Sequence, residues 1–265
     1  VRMLLGLDPV PGSEPVDWPT QTAVADALGV TRGRLGQIGP AVRRHWADLA
    51  PLVSLRDDVV AVLAGLGGVG AVSEINAVVA EARGAGLSTT TALGWARAAV
   101  RAAVEVEEAR TDGEPRVVVR RRGARVVLAL DLAADGDPAQ QAASSGPGGG
   151  FDGEFDGAAL AAFATALGDR ADEALRLADD VVPQDRAVSV LREVAAPDGV
   201  ALTDGRLVRL AAACSQTAGV STGLELYPTA LDPVRAVRLV RPGLAAAERL
   251  TVDDIHDRVG ARFPL

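Results

Sequence analysis

Gln21-Thr-Ala-Val-Ala-Asp-Ala-Leu-Gly-Val-Thr-Arg-Gly-Arg-Leu-Gly-Gln-Ile38 has the spacing of a helix-turn-helix. Such a motif needs a small residue where the helices cross, a turn residue that tolerates positive φ, and apolar anchors one and two turns into the second helix. Ala25, Gly29, Leu35 and Ile38 occupy those places, with Val24, Leu28 and Val30 as core and Val42 and Trp46 continuing the pattern. Thr20 and Thr31 are expected to cap the two helices. The second helix then presents Thr31, Arg32, Arg34 and Gln37 to a groove. Arg32, Arg34 and Gln37 suit base edges, while Thr31, Arg43 and Arg44 suit phosphates. From Thr31 to Trp46 there are four arginines and no acid. A trihelical packing module with solvated arginines fits the same residues. Gly33, Gly36 and Gly39 each cost roughly 1 kcal/mol of helix propensity, and Pro40 is expected to bend or end the helix.

Downstream, Asp57 to Leu66 reads as an amphipathic helix, Ser73 as the cap of another ending near Arg83, and Leu93 to Glu108 as a third. Then the period changes to two. Arg116-Val-Val-Val-Arg-Arg-Arg122, a Gly123-Ala124 turn and Arg125-Val-Val-Leu-Ala-Leu-Asp131 predict a β-hairpin. Three helices followed by a hairpin is the order of a winged helix, and Arg116, Arg120, Arg121, Arg122 and Arg125 would charge its wing for a phosphate backbone. An edge hairpin protected from aggregation by charge is the other reading.

Upstream, Arg2 to Leu7 reads as the tail of a helix. The Gly- and Asp-rich stretch 132–157 is expected to be a flexible linker. Helices are predicted at about Ala158–Leu167, Asp169–Asp180, Asp185–Val194, Thr203–Ser215 and Pro233–Arg241, with a short strand at Leu224–Tyr227. Leu250-Thr-Val-Asp-Asp-Ile255 echoes Val72-Ser-Glu-Ile75 and reads as the opening of a second winged unit. The chain is thus expected to be mainly α: a helix-turn-helix over 1–50, a winged-helix-like unit over 55–131, a linker over 132–157, and a helical domain over 158–265. It reads as an excerpt from a longer protein.

The 265 residues include 35 acids against 27 basic residues, for a formal charge of -8. A uniformly basic nucleic-acid coat is therefore excluded, and any DNA contact must be local. All the basic residues are arginine, so chemistry that requires lysine is absent, including the phosphate-loop and kinase strand lysines. One Cys and two His leave little for a metal or thiol centre, and no cofactor is expected. With no long apolar run and no signal peptide, a cytoplasmic setting is expected, without membrane or small-molecule substrate. Gly65-Leu-Gly-Gly-Val-Gly70 follows a helix rather than a strand, which removes the dinucleotide reading. Gly219-Val-Ser-Thr-Gly223 likewise lacks the strand-turn-helix order of a nucleophile elbow. Asp152, Glu154 and Asp156 do not match a calcium loop. His45 beside Trp46 reads as the flank of a packed indole, and Cys214 as a small core residue.

Taken together, Trp18-Pro-Thr-Gln-Thr, the helix-turn-helix, Arg43-Arg-x-Trp46, the Val117–Val127 hairpin, Leu207-Val-x-Leu-Ala-Ala-Ala, Leu224-Glu-Leu-Tyr-Pro228 and Arg235-Ala-Val-Arg-Leu239 resemble the C-terminal region of PglW-type serine/threonine kinases. These belong to the bacterial phage growth limitation (BREX type 2) defence systems. The first segment is also similar to the helix-turn-helix of sigma-factor region 4. The resemblance implies ATP-dependent phosphorylation by a kinase domain N-terminal to this region. No strand lysine, His-Arg-Asp loop or Asp-Phe-Gly stands here, so no catalytic residue carries over. The expectation is a non-catalytic, DNA-binding or regulatory arm. Its alternative is a docking or dimerisation module for the parent kinase or another defence component.

Overall fold

The computed structural model describes residues 1–12, 16–110, 113–131, 156–178, 180–244 and 250–264. It is mainly helical, with small antiparallel sheets. The chain divides into two compact units: residues 1–162 with 197–200, and residues 163–196 with 201–265. No helix among the described residues is long and apolar enough to cross a membrane.

The first unit opens with a turn in which Leu5 N–H donates to Val1 O, where a helix tail was expected. Helices α1 (Gln21–Leu28) and α2 (Arg32–Ala47) follow. Next come α3 (Ala50–Gly65), β1 (Val69–Ala71), α4 (Val72–Arg83), α5 (Thr89–Glu107), β2 (Val117–Arg122) and β3 (Arg125–Leu130). The expected three helices and hairpin are present in that order. Strand β1 adds to them, pairing antiparallel with β3 to give the sheet order β1-β3-β2. Gly67 and Gly68, both with positive φ, turn the chain from α3 into β1, a conformation that costs a glycine little. Leu63, Val69, Ile75, Val100 and Val126–Leu130 belong to the buried apolar core.

Several local expectations are corrected. Ser73 does not cap α4; it sits inside the helix, and Glu74 reaches back to accept from Ala71 N–H. Helix α2 does not end at Pro40. Gly36 stands four residues before that proline and Gly39 immediately before it, and the missing side chain at Gly39 relieves the clash that normally drives the preceding residue out of α conformation. Of the expected helix-turn-helix core, Val24 and Ala25 are buried, but Leu28, Val30 and Ile38 are 50%, 40% and 43% exposed. No residue of α2 is buried, because the rest of the unit supports the helix along one side only.

The second unit contains most of α6 (Gly157–Arg176), then α7 (Gln184–Leu191), α8 (Asp204–Cys214), β4 (Ala218–Val220), β5 (Leu226–Pro228), α9 (Pro233–Leu244) and α10 (Val252–Arg262). Two helices were expected where α6 runs unbroken. Gly168 is not a break: a Cβ there would lie 2.5 Å from Cys214 O, so the glycine is a notch that admits the end of α8. Asp156 and Gly157, placed by sequence in the linker, begin α6, with Asp156 Oδ1 accepting from Ala159 N–H. The rest of that linker, 132–155, including Asp152 and Glu154, lies outside the described residues. Helix α10 packs against α9 within this unit. Phe263, just past its end, is fully buried, edge-on to Tyr227 at 5.0 Å between ring centroids, and closes the core of this unit.

Candidate nucleic-acid interface

Both expected caps form. Thr20 Oγ1 accepts from Ala23 N–H, and Gly29 ends α1 at φ 63. Thr31 Oγ1 accepts from Arg34 N–H at 3.2 Å, so the hydroxyl assigned to a phosphate first orders the start of α2. Arg34 Nη1 donates to Gln37 Oε1 at 3.3 Å, linking two residues assigned to base edges. Arg32, Arg34, Gln37 and Arg44 are all exposed, as is His45. His45 thus flanks a half-buried Trp46 rather than a packed one.

Arg43 is placed differently. Its Nη1 pairs with Glu105 Oε2 of α5 at 2.9 Å, and both side chains are largely covered. Sequence reading missed this tie, since a partner 62 residues away leaves no local trace.

The hairpin arginines do not form one cluster. Across the β2-β3 register Arg122 faces Arg125, Arg120 faces Val127 and Arg121 faces Val126. Alternation puts Arg120, Arg122 and Arg125 on one face and Arg121 on the other. Arg120 and Arg122 are exposed and Arg125 half-buried. Arg121 instead donates from Nη1 to Trp18 O at 2.6 Å, and desolvation holds its pKa down. Arg116 is no wing charge. Its Nε and backbone N–H both donate to Glu107 Oε1 at 3.0 Å, and its Nη2 reaches Glu107 Oε2 and Asp57 Oδ1.

Glu107, 3% exposed at its side chain, gathers Arg56 and Arg110 as well. Burial raises its pKa, but the Arg116 hydrogen bonds and charge outweigh that, leaving it below the ordinary 4.5.

Residues 17–19 form a strap that the sequence did not reveal. Asp17 N–H donates to Ala124 O, and its carboxylate accepts from Val126 N–H. Burial raises the Asp17 pKa against the pull of that N–H and of Arg125, Arg97 and Arg121. Trp18 is buried with the Arg101 guanidinium 5.7 Å from its ring centroid, and Arg101 Nη1 donates to Pro19 O at 2.9 Å. Burial lowers the Arg101 pKa to about 10, with Glu105 acting in the opposite sense. The available signal was a tryptophan beside a proline in a chain only 3% aromatic.

A cavity of about 200 Å³ lies between α3, α4 and α5, lined by Leu52, Leu55, Val79, Leu87, Trp95 and Ala96 among others. Trp95 is 56% exposed. Among the described residues no group of His, Cys, Asp and Glu is arranged to hold a metal ion. Ser221, the false elbow serine, is buried and donates to Glu225 Oε2.

No protein-family model matches the chain, and no solved structure matches it. A protein of Streptomyces coelicolor named Probable kinase PglW does, at 37% identity over 288 aligned positions. The match takes in all of this chain but only 17% of that protein's length, so the chain corresponds to part of a larger protein. From end to end the chain is therefore similar to one region of a PglW-type kinase, consistent with the C-terminal region of such a protein.

Proposed function

We propose that this region is a non-catalytic DNA-binding or regulatory arm of a larger phage-defence serine/threonine kinase of the BREX type, working in the cytoplasm, and that it grips duplex DNA through α2. The observation that carries this reading is that α2 buries no residue while displaying Arg32, Arg34 and Arg44 to solvent. A helix supported on one side and cationic on the other can enter a groove without unfolding anything. Arg32, Arg34 and Gln37 face bases. Thr31, Arg44 and the Arg120, Arg122 and Arg125 face of the hairpin supply backbone contacts. Arg43 and Arg121 hold the motif in place from behind. Titration of duplex DNA at two salt concentrations tests this: the Arg32→Ala/Arg34→Ala pair should weaken binding and flatten its salt dependence. Unchanged affinity in that pair removes α2 from the interface.

One observation favours a second reading for the winged-helix-like part, α3 to β3. The helix before its hairpin, α5, exposes Trp95 beside an apolar cavity instead of a row of cations. Such a cleft suits a bulky apolar side chain of a protein partner, either the parent kinase domain or another defence component. Pull-down with the kinase domain, with Trp95→Ala as control, tests it. A monomer that captures nothing counts against it.

A further inference from the structure

Helix α9 carries arginines at 235, 238 and 241 and no acid from 233 to 241. All three are exposed. On its other side, Ala236 and Val240 are buried and Leu239 is half-buried, packed with Tyr227, Leu231 and Phe263. At 1.5 Å of rise per residue, the first and last arginine stand about 9 Å apart along the axis. Arg235 is paired with Asp180. Asp232, the acid before the helix, is spent on capping, accepting from Arg235 N–H at 3.1 Å. Arg238 and Arg241 make no ion pair among the described residues.

We propose that Arg238 and Arg241, with Arg235 beside them, form a second contact to the phosphate backbone of nucleic acid, carried by the second unit and separate from α2. The proposal rests on the reading of this region as DNA-binding and extends it to another helix. Forked guanidinium groups spaced along a rod match a ligand whose charge is itself linear, about one negative charge per 1.7 Å of duplex. A lipid surface fits poorly. An interfacial helix must insert its apolar side, and that side of α9 is already committed to the core. A row of backbone contacts carries no sequence preference, and two modest contacts on one chain reinforce each other through effective concentration.

The test uses the full chain and a short duplex of arbitrary sequence. Because both side chains stand in solvent, Arg238→Ala/Arg241→Ala should melt at the wild-type temperature. Its duplex affinity should fall several-fold at low salt, and the slope of log affinity against log salt should decrease by about 1.8, two contacts at about 0.9 each. If affinity and slope stay at wild-type values while Arg32→Ala/Arg34→Ala loses binding, the α9 proposal is overturned and the α2 reading stands. If the α9 pair loses binding and the α2 pair does not, the proposal stands and the α2 reading falls. If the wild-type chain binds no duplex, both fall. Polyglutamate displacing the duplex at equal charge, or anionic vesicles doing so, would identify an acidic protein or lipid surface as the ligand and overturn the proposal.

Discussion

Helices α2 and α5 belong to the same unit, are of comparable length, and are treated in opposite ways. Helix α5 buries ten of its residues, including Arg101 and Glu107, whereas α2 buries none. The difference shows where the sequence is constrained by packing and where it is free to meet a ligand. On α5 even the charges are enclosed, and each enclosed charge has a counter-charge or carbonyl to answer it. On α2 the apolar Ile38 is left in water, and the helix is kept in place by its cap, by Arg43 and by partial cover of Leu35 and Trp46.

The largest effects should come from breaking the enclosed side of this contrast. Glu107→Ala takes the shared buried carboxylate from Arg56, Arg110 and Arg116 and should cost about 3 to 5 kcal/mol, measured by urea denaturation. Leu63→Ala, which opens a cavity in the apolar core, should cost about 2 to 5 kcal/mol. The carboxylate also sets a pH dependence. Its folded pKa lies below the ordinary 4.5, so its contribution is fully present above that value and is lost as pH falls through the folded pKa. Glu107→Gln should remove this portion of the acid sensitivity. An acid-unfolding profile identical to wild type would show that Glu107 carries none of it.

Arg101→Ala comes next. It removes a bond to Pro19 O and the cation beside Trp18, and should cost about 1.5 to 3 kcal/mol. Because residues 17–19 lead directly into α1, amide hydrogen exchange should quicken in α1 and α2 before it does in α4. Uniform quickening across the unit would mean the strap has no special hold on α1 and α2.

How far the sequence reveals this arrangement depends on the range of each interaction. The caps Thr20 and Thr31, the turn at Gly29, the hairpin register around Gly123 and the start of α9 at Pro233 follow from residues within a few positions of one another, and they were legible. Strand β1 was not, because Val69-Gly-Ala71 is too short to show a period and exists only by pairing with β3, some 60 residues away. Gly168 read as a break because its reason, the carbonyl of Cys214, is remote in sequence. The same limit applies to the site. Composition identifies Arg43, Arg116 and Arg121 as cations, but the tertiary partners Glu105 and Glu107 decide that Arg43 and Arg116 are drawn inward, and Trp18 O that the exposed Arg121 is tied to the strap.

Substitutions on the open side should be felt little. Ile38→Ala should change stability by less than about 1 kcal/mol, since much of its surface is already wet. A loss comparable to Leu63→Ala, read in the same urea titration, would mean that α2 is packed against something the isolated chain supplies in solution, and the contrast with α5 would disappear.

The finest test separates two roles for one cation. If Arg43 ties α2 to α5, then Arg43→Ala should cost about 0.5 to 1 kcal/mol and Glu105→Gln, which also loses the ion pair with Arg101, somewhat more, and the double variant should cost little more than Glu105→Gln alone. The salt slope of duplex binding should then be the same in Arg43→Ala as in wild type. A slope reduced by about 0.9 would return Arg43 to the phosphate contacts and make Glu105 its competitor. The distinction matters because the two outcomes predict opposite signs for Glu105→Gln: a tie that is cut loosens α2 and weakens binding, whereas a competitor that is removed frees a guanidinium and strengthens it.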